Sequence, residues 1–246
     1  MNIIAVIPAR AASKRLACKN IKLLWGKPLL AHTIEDALNA RLISRVLVST
    51  DSPEIAKIAQ NHGAETPFLR PPEISGDKIS DTPVIAHVTS WLKKNEGYKP
   101  DILVLLRPTT PFRADDLIDR CVNRLIKTEA DSVRSVRNVG HWHPYWMLTV
   151  DENGWSRPFI EKKTIDTYYQ SQLLPPLYKH DGYCDILRQA NIPNPCPPNA
   201  SLAGLYGNKR AVEKNDDGYF INIDTLEDFE IAELIFEKQT RKNKQD

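Results

Sequence analysis

From Met1 to Ile34 the sequence contains no aspartate or glutamate, although the whole chain holds 31 of them. No apolar run approaches the roughly 18 residues that span a bilayer. The net charge of +2 is too small to indicate binding to nucleic acid or to a membrane surface. The N-terminus also lacks the small-residue cleavage site of a signal peptide. We therefore expect a cytoplasmic protein that binds neither nucleic acid nor a membrane.

Several chemical motifs are missing as well. The 4 cysteines show no C-x-x-C spacing, so the sequence indicates neither a zinc site nor a disulfide framework. Neither a Walker lysine motif nor G-x-G-x-x-G occurs, which argues against P-loop ATPases and dinucleotide dehydrogenases. The apolar content of 41% and the charged content of 26% are those of an ordinary globular protein. The length of 246 residues suits one domain with, at most, a small appended subdomain.

Strand-like apolar runs and amphipathic helix patterns alternate along much of the chain. The run Ile3–Ile7 is rich in β-branched residues and ends at Pro8, which is typical of a buried strand. Similar patterns predict strands over 46–49, 102–106, 132–136 and 219–224, and helices over 29–38, between 51 and 63, and over 82–92, 115–126 and 226–238. This alternation predicts an α/β fold, namely a Rossmann-like, three-layer, mostly parallel sheet with helices on both faces.

A basic loop follows the first strand. The segment Pro8–Asn20 carries Arg10, Lys14, Arg15 and Lys19, and it contains no acid. Sheets of this kind bind ligands beyond the carboxyl ends of their strands, which is where this loop falls. The pattern therefore favours an anion site, most economically for a polyphosphate. The alternative is a basic edge that is simply solvated.

The same loop resembles a known signature. It fits P-A-R-x-x-S-K-x-x-x-x-K-N from Pro8 to Asn20, and G-K-P-L-L-A-H-T-I follows from Gly26. This pattern resembles the opening of the sugar-nucleotide cytidylyltransferases, and most closely that of the acylneuraminate (CMP-sialic acid synthetase) branch. In that family the loop wraps the triphosphate of CTP. The resemblance thus implies nucleotide binding by Ala9, Arg10, Ser13, Lys14, Lys19 and Asn20.

Two later stretches continue the resemblance. Arg70-Pro71-Pro72-Glu73 resembles the family's R-P-x-E element, whose arginine reaches the nucleotide, and Asp77 matches an acid that follows it. A salt bridge that holds the loop is the alternative role for Arg70. The stretch from Leu105 to Arg113 resembles L-L-x-P-T-S-P-L-R, which implies that Arg107 and Thr109 also bind the nucleotide. The family usually has glutamine where this chain has Arg107, so the identity of the sugar is left open.

The segment Ile221–Glu233 resembles the family motif I-D-I-D-T-x-x-D-x-x-x-A-E. In that motif two aspartates, two residues apart on a strand, hold magnesium, and here they correspond to Asn222 and Asp224. An amide oxygen can ligate a hard cation but brings no charge, so we expect metal affinity to fall. The alternative for Asp224 is a charge that favours a helix N-terminus, where Thr225 and Asp228 predict a capping box.

Residues 138–189 depart from the alternation and are rich in aromatic and turn residues. In the resembling proteins this segment is an arm that packs into the partner subunit, and its aromatics agree with an interface core, although they could also cover a local core. We predict one nucleotidyltransferase domain over 1–246, with 138–189 as an inserted arm for dimerisation and sugar binding, and hence a homodimer. His141 and His143 invite a metal interpretation, but without a third ligand we prefer a structural or substrate-contacting role.

These motifs together predict a nucleotidyltransferase that uses CTP and a sialic-acid-like 2-keto acid sugar to form a CMP-sugar and pyrophosphate. Catalysis of this kind depends mainly on positioning and charge neutralisation. We expect Arg10, Lys14 and Lys19 to neutralise the triphosphate. We expect Asp224, with Asn222, to hold Mg²⁺.

Two alternatives remain open at this stage. One is transfer to another acid sugar of the 3-deoxy-octulosonate, legionaminate or pseudaminate type, because Arg107, Ser171 and Lys179 depart from the family pattern. The other is a nucleotide-binding protein without catalysis, because the first metal aspartate is replaced by Asn222. An assay of pyrophosphate release with CTP and several acid sugars separates them.

Overall fold

The computed structural model describes residues 1–13, 15–202, 204–216 and 218–242, with the backbone alone for 240–242. The strands are β1 (Ile3–Pro8), β2 (Leu23–Leu24), β3 (Lys27–Pro28), β4 (Arg45–Ser49), β5 (Ile102–Leu105), β6 (Ser132–Asn138), β7 (Leu148–Val150), β8 (Ser156–Pro158), β9 (Tyr178–Arg188) and β10 (Arg210–Lys214). The helices are α1 (Leu29–Asn39), α2 (Pro53–Asn61), α3 (Asp81–Glu96), α4 (Leu117–Lys127) and α5 (Leu226–Lys242). Within the described ranges, no helix is both long enough and apolar enough to cross a membrane.

One sheet of six strands, in the order β10-β6-β9-β5-β1-β4, organises the fold. Strand β1 pairs in parallel with β4 and with β5, so that Ile4 lies opposite Arg45 on one side and Leu103 on the other. Strand β5 pairs antiparallel with β9. The predicted α/β fold with a mostly parallel sheet is confirmed. The carboxyl ends of β1, β4 and β5 lie at one edge of this sheet.

Alternating side chains give the sheet two apolar faces. On β1, Ile3 and Ile7 belong to a core that also includes apolar residues of α1, α2, α4 and α5. Ile4 and Val6 belong to a second core that includes residues of α3. All four side chains are at most 3% exposed, and burial of each contributes about 1.5–3 kcal/mol. Helices therefore cover both faces, as the sequence predicts.

Ser52 caps the start of α2, because its hydroxyl accepts the hydrogen bond from the amide of Ile55, at 3.3 Å. The carboxylate of Asp51 accepts a hydrogen bond from the amide of Ala11, at 2.8 Å. Asp51 therefore holds the loop that follows β1.

The prediction of a strand over residues 219–224 is wrong. Residues 219–224, predicted as the last strand, have no regular secondary structure. The position beside β5 is taken by β9, whose residues Tyr183–Leu187 are all buried. The sequence hides this strand because Asp181 and Asp185 interrupt its apolar pattern. Strand β9 ends inside the predicted arm 138–189, so the end of that segment belongs to the central sheet.

Residues 136–181 form a compact unit of their own, while residues 1–135 and the chain from Gly182 onward form the other. The unit 136–181 contains the antiparallel pair β7 and β8. Within it, Nδ1 of His143 accepts a hydrogen bond from the amide of Tyr145, and Nε2 donates one to the carbonyl of Pro175, both at 3.2 Å. His143 is 1% exposed. Both ring nitrogens thus serve a structural role.

Candidate active site

A cleft lies at the carboxyl ends of β1 and β5. It comprises two adjoining cavities of about 230 and 280 Å³ that share the residues Arg10, Ser13, Lys19 and Asp77. The cleft therefore brings together nine residues that separate sequence motifs predict to be site residues. They are Arg10, Ser13, Lys19, Asn20, Arg70, Asp77, Arg107, Thr109 and Asp224.

Hydrogen bonds give the loop after β1 its course. The amide of Ala9 donates to the carbonyl of Ser49, at 3.0 Å, which continues the pairing of β1 with β4. The side-chain amide of Asn20 donates to the carbonyl of Arg10, at 2.9 Å, and closes the loop. Ala9 and Asn20 are both buried, so they shape the loop from within. Lys14, also predicted to bind the triphosphate, lies outside the described residues.

The loop meets Asp224 in a group of four polar residues, Arg15, Lys19, Asn222 and Asp224, which we call the exposed cluster. Nζ of Lys19 lies 2.9 Å from Oδ1 of Asp224, and a guanidinium nitrogen of Arg15 lies 3.1 Å from Oδ2. The side-chain amide of Asn222 donates to Oδ2 of Asp224, at 3.1 Å. The side chains of Arg15, Asp224 and Lys19 are 67%, 28% and 13% exposed. Because an exposed ion pair contributes only about 0–1 kcal/mol, the contact of Arg15 with Asp224 is easily exchanged.

The start of α5 fixes the backbone of Asp224. The carboxylate of Asp228 accepts hydrogen bonds from the amides of Asp224 and Thr225, at 3.0 and 2.8 Å. The hydroxyl of Thr225 accepts in return from the amide of Asp228, at 3.2 Å. The predicted capping box is therefore confirmed. Burial alone would raise the pKa of Asp228, but these hydrogen bonds hold it below its ordinary value.

A second group of charges reaches the wall of the cleft through Asp81 and Arg107. Nη2 of Arg107 donates to Asp81, at 2.6 Å, and Nη1 donates to Asp185, at 2.9 Å. Asp185 is fully buried and also accepts from Nε of Arg134, at 3.2 Å, and from the hydroxyl of Tyr206, at 3.0 Å. We call Asp81, Arg107, Arg134, Asp185 and Tyr206 the buried cluster.

Electrostatics fix the protonation states of Arg107 and Tyr206 in this cluster. Burial would lower the pKa of Arg107, but the carboxylates of Asp81 and Asp185 raise it above its ordinary value. Burial, with Asp185 nearby, raises the pKa of Tyr206 to about 12. At neutral pH the arginine is therefore charged and the phenol is neutral. Since two carboxylates balance the charge of Arg107, this residue serves as a fixed part of the wall.

The partners of Arg107 were not predicted. Asp185 lies on β9, which the sequence does not reveal as a strand, and Tyr206 lies in an irregular segment. Asp81 stands at the first position of α3, where an acid is ordinarily explained by the helix dipole. A strand assignment for 178–188 would have placed Asp185 beside β5 and so near Arg107.

Two further arginines belong to the cleft. Arg10 pairs with Asp77, with 2.5 Å between Nη1 and Oδ1, and both side chains are about one third exposed, at 31% and 28%. Arg70 is 6% exposed, and its guanidinium donates to the hydroxyl and the carbonyl of Ser49 at the end of β4. Burial lowers the pKa of Arg70 to about 10, so it remains charged at neutral pH. These hydrogen bonds hold a positive charge at the cavity wall.

The donor set decides which kind of metal the cleft fits. Among the described residues, no group of three or more His, Cys, Asp or Glu could hold a metal ion. The exposed cluster offers one carboxylate, from Asp224, and one neighbouring amide, from Asn222. Mg²⁺ is usually bound by one or two carboxylates together with substrate phosphates and water. The residues therefore fit Mg²⁺ that is shared with a triphosphate, rather than a cage made by the protein alone.

Comparison of the sequence with known proteins points to one group. A family model described as Cytidylyltransferase matches residues 4–195. The chain is 43% identical over 157 residues to the CMP-N,N'-diacetyllegionaminic acid synthase of Legionella pneumophila, a match that covers 63% of this chain and 65% of that protein. It is 45% identical over 111 residues to the N-acylneuraminate cytidylyltransferase of Escherichia coli O18:K1:H7, covering 45% of this chain and 25% of that protein. The matches thus span less than two thirds of these curated relatives.

Solved structures show the same fold. The structure of a CMP:2-keto-3-deoxy-manno-octonic acid synthetase, solved in complex with CTP, superimposes with a TM-score of 0.70 at 17% identity, covering 97% of this chain and all (100%) of that one. A 4-diphosphocytidyl-2C-methyl-D-erythritol synthase from Anaerococcus prevotii gives a TM-score of 0.60 at 14% identity, covering 96% and 98%. At these identities the likeness concerns the fold.

Proposed function

Since the chain belongs to the cytidylyltransferase family, we propose that it transfers CMP from CTP to a sialic-acid-like 2-keto acid sugar. The anomeric hydroxyl of the sugar gives up its proton to solvent, and its oxygen forms a bond to the α-phosphorus of CTP. The bond between the α-phosphorus and the oxygen that bridges the α- and β-phosphates breaks, and pyrophosphate leaves with that oxygen. The observation that carries this proposal is the exposed cluster. It places Lys19 and Arg15 of the acid-free loop against Asp224, at the carboxyl edge of the sheet.

The cations of the loop neutralise the triphosphate and the leaving pyrophosphate. Lys19, Arg10 and, as the sequence predicts, Lys14 supply the charge, and Ser13 offers a hydroxyl. In the structure Arg10 pairs with Asp77, and Lys19 pairs with Asp224. Phosphate oxygens therefore compete with two carboxylates for these cations. Because both ion pairs are exposed in part, the exchange costs little.

Asp224 and Asn222 are the residues that would hold Mg²⁺. The bound ion would add positive charge at the phosphates and lower the pKa of a coordinated hydroxyl. The capping box fixes the backbone of Asp224 at this place before any ligand arrives. Asn222 contributes an uncharged oxygen, so the phosphates must supply most of the negative charge.

The relatives narrow the acid sugar to a class. One relative is named for N,N'-diacetyllegionaminic acid, others are named for N-acylneuraminate or pseudaminic acid, and all three are nine-carbon 2-keto acids. We include all three in the proposed class. Arg107 is held by Asp81 and Asp185 and presents a fixed wall to whichever sugar binds. Use of CTP is also in keeping with the predicted cytoplasmic location.

The test is pyrophosphate release. The full chain is incubated with CTP, Mg²⁺ and, in separate reactions, N-acetylneuraminate, N,N'-diacetyllegionaminate, pseudaminate and 3-deoxy-octulosonate. We expect release with at least one nine-carbon acid, and UTP or ATP in place of CTP serves as a control. Release with the octulosonate alone would move the assignment to that sugar. CTP binding without release on any sugar would favour a nucleotide-binding protein without catalysis.

We also propose that the unit 136–181 provides the interface of a homodimer. Its exposed aromatic side chains support this, since Trp142 and Trp155 are each 75% exposed, Phe159 is 60% and Tyr169 is 64%. Aromatics are enriched at the cores of interfaces. Sedimentation equilibrium is expected to give twice the mass of the 27.9 kDa chain. The double variant Trp142→Ser/Trp155→Ser is expected to shift the protein towards monomer, whereas a monomeric wild type would contradict the proposal.

A further inference from the structure

Arg113 lies behind the cleft and binds three separate elements. Its guanidinium donates five hydrogen bonds, although it belongs to the lining of neither cavity of the cleft. On α1 it reaches the hydroxyl of Thr33 and the carboxylate of Asp36, both at 3.0 Å. Its side chain is 1% exposed. A buried guanidinium whose donors are used in this way fixes the groups around it.

Two of these hydrogen bonds hold the loop after β5. Nη2 of Arg113 donates to the carbonyl of Arg107, at 2.7 Å, and to the hydroxyl of Thr110, at 3.0 Å. Between these two acceptors lies Thr109, whose carbonyl accepts a hydrogen bond from the amide of Ile223, at 2.7 Å. The loop that Arg113 fixes is therefore the loop to which the residue before Asp224 is attached.

The hydrogen bond to β9 acts on the same segment. Nε of Arg113 donates to the carbonyl of Tyr183, at 2.8 Å. The hydroxyl of Tyr183 accepts from the amide of Ile221, at 3.0 Å, and donates to its carbonyl, at 3.2 Å. Residues 219–224 have no strand pairing to keep them in place. Two residues of this segment, Ile221 and Ile223, are hydrogen-bonded to groups that Arg113 holds, namely Tyr183 and the loop at Thr109.

We infer that Arg113 is a positioning residue that sets the place of Asp224 in the cleft by fixing Thr109 and Tyr183, two of the groups to which residues 221–223 are hydrogen-bonded. A third is Nζ of Lys19, which donates to the carbonyl of Ile223, at 2.9 Å. The effect of Arg113 on catalysis rests on the proposed function, because in that proposal Asp224 is the residue that would hold Mg²⁺. Its physical content can be tested without any ligand. Arg113 lines neither cavity of the cleft, so its effect on Asp224 is exerted through Thr109 and Tyr183.

The charge partner of Arg113 adds a dependence on pH. Burial raises the pKa of Asp36 to about 6 against the attraction of Arg113, and Asp115 and Glu35 raise it further. Other charged groups beside Asp36 in the neighbouring cavity are Arg41, Asp116, Asp119 and Arg120. Asp36 is therefore charged above about pH 6 and neutral below it. The ionic part of the Arg113 anchor is present at neutral pH and is lost as the pH falls through this value.

Amide hydrogen exchange, followed by mass spectrometry, tests the inference. The variants are Arg113→Ala and Arg113→Lys. The matched control is Arg188→Ala, because Arg188 also donates to backbone carbonyls, those of Ala130, Leu125 and Thr128, but at the opposite end of β9. Exchange in peptides from β1 reports global unfolding, and exchange in a peptide over 219–225 reports local opening of that segment. Exchange at 219–225, relative to β1, is expected to rise about tenfold or more in Arg113→Ala and less in Arg113→Lys.

The control variant and the pH series complete the test. In Arg188→Ala, the ratio of the amide exchange rate at 219–225 to the rate in β1 is expected to stay within about twofold of wild type, even if the melting temperature of this variant falls. Below pH 6 the wild-type ratio, corrected for intrinsic exchange, is expected to rise, and Asp36→Asn is expected to remove that change. An unchanged ratio in both Arg113 variants would overturn the inference. Absent turnover in wild type, with the ratio raised in the variants, would instead count against the proposed function alone.

Discussion

Two clusters of ion pairs at the cleft differ in the burial of the carboxylate that their members share. They do not differ in this way in their cations, since the side chains of Arg107 and Lys19 are 23% and 13% exposed. In the buried cluster Asp185 is fully buried and takes part in contacts with Arg107, Arg134 and Tyr206. In the exposed cluster the side chain of Asp224 is 28% exposed. Removing one partner from a buried ion pair leaves the other charge buried and unpaired, whereas at the surface water replaces the missing partner. The buried cluster is therefore suited to keep its geometry, and the exposed cluster to exchange its carboxylate for a ligand.

The largest effect is expected at Lys19, where the exposed cluster meets the triphosphate. Lys19→Ala should lower turnover by a factor of about 10²–10³, because a charge that acts on the transferred phosphates is lost. Its effect on the melting temperature should be small. Steady-state pyrophosphate release measures the first quantity and thermal unfolding the second.

Lys22→Ala is the matched control for this variant. Lys22 lies three residues after Lys19 but lines neither cavity, and its Nζ lies 5.0 Å from the centre of the Phe229 ring. We expect wild-type turnover from it. Undiminished turnover in Lys19→Ala would contradict the role of the exposed cluster.

The next effect concerns stability and separates the two clusters directly. Arg107→Gln should lower the free energy of unfolding by about 2–4 kcal/mol, because Asp185 loses one of its two arginine partners while buried. Arg15→Gln removes a cation from the exposed cluster and should change the free energy of unfolding by less than about 0.5 kcal/mol. Urea denaturation of both variants measures the difference. Equal losses would show that burial does not distinguish the clusters.

A third prediction concerns Asn222. Asn222→Asp adds a carboxylate beside Asp224 and should tighten metal binding about tenfold, since charge on the ligands governs affinity for hard cations. Mn²⁺ titration with detection of the free ion by electron paramagnetic resonance, in the presence of CTP, measures this affinity. Lys22→Gln, which also makes the net charge more negative by one but lies outside both cavities, controls for a general change in charge. Unchanged Mn²⁺ affinity in Asn222→Asp would remove Asn222 from the metal site.

The last prediction concerns Asp228, which belongs to the capping box of α5 and accepts hydrogen bonds from the amides of Asp224 and Thr225. Asp228→Asn should lower the free energy of unfolding by about 1 kcal/mol at pH 7. The pKa of Asp228 is lowered in the folded state from 3.8, so its stabilising contribution is present above that value and is lost as the pH falls through the folded pKa. The difference between variant and wild type should therefore shrink below about pH 4. A difference that stays constant down to pH 2 would contradict the hydrogen-bonding role of the carboxylate.

The sequence was informative where local patterns and global structure agree. Ile3–Ile7 and Ile102–Leu106 are apolar runs, and each is followed by polar residues that the parallel sheet then gathers at one edge. The capping box at Thr225 and Asp228 is a local signal and was likewise predictable. Residues such as Arg10, Lys19 and Thr109 could therefore be assigned to one cleft in advance.

The remainder depends on contacts between distant residues. Strand β9 contains Asp185, an acid that is tolerated at a buried position because Arg107, Arg134 and Tyr206 surround it. No pattern within residues 178–188 reveals those partners. The segment 219–224 was predicted as a strand from its own residues, but it has no regular secondary structure. Its attachment through Tyr183 and Thr109 could be seen only in three dimensions.

The central claim is that the acid-free loop after β1 grips the triphosphate. A crystal structure of the full chain grown with CTP and Mg²⁺ tests it most directly. We expect the triphosphate to lie against residues 10–20, with Lys19 moved from Asp224 to a phosphate oxygen and Asp224 turned towards the metal. A nucleotide bound elsewhere, with Lys19 still paired to Asp224 and Arg10 still paired to Asp77, would contradict the claim.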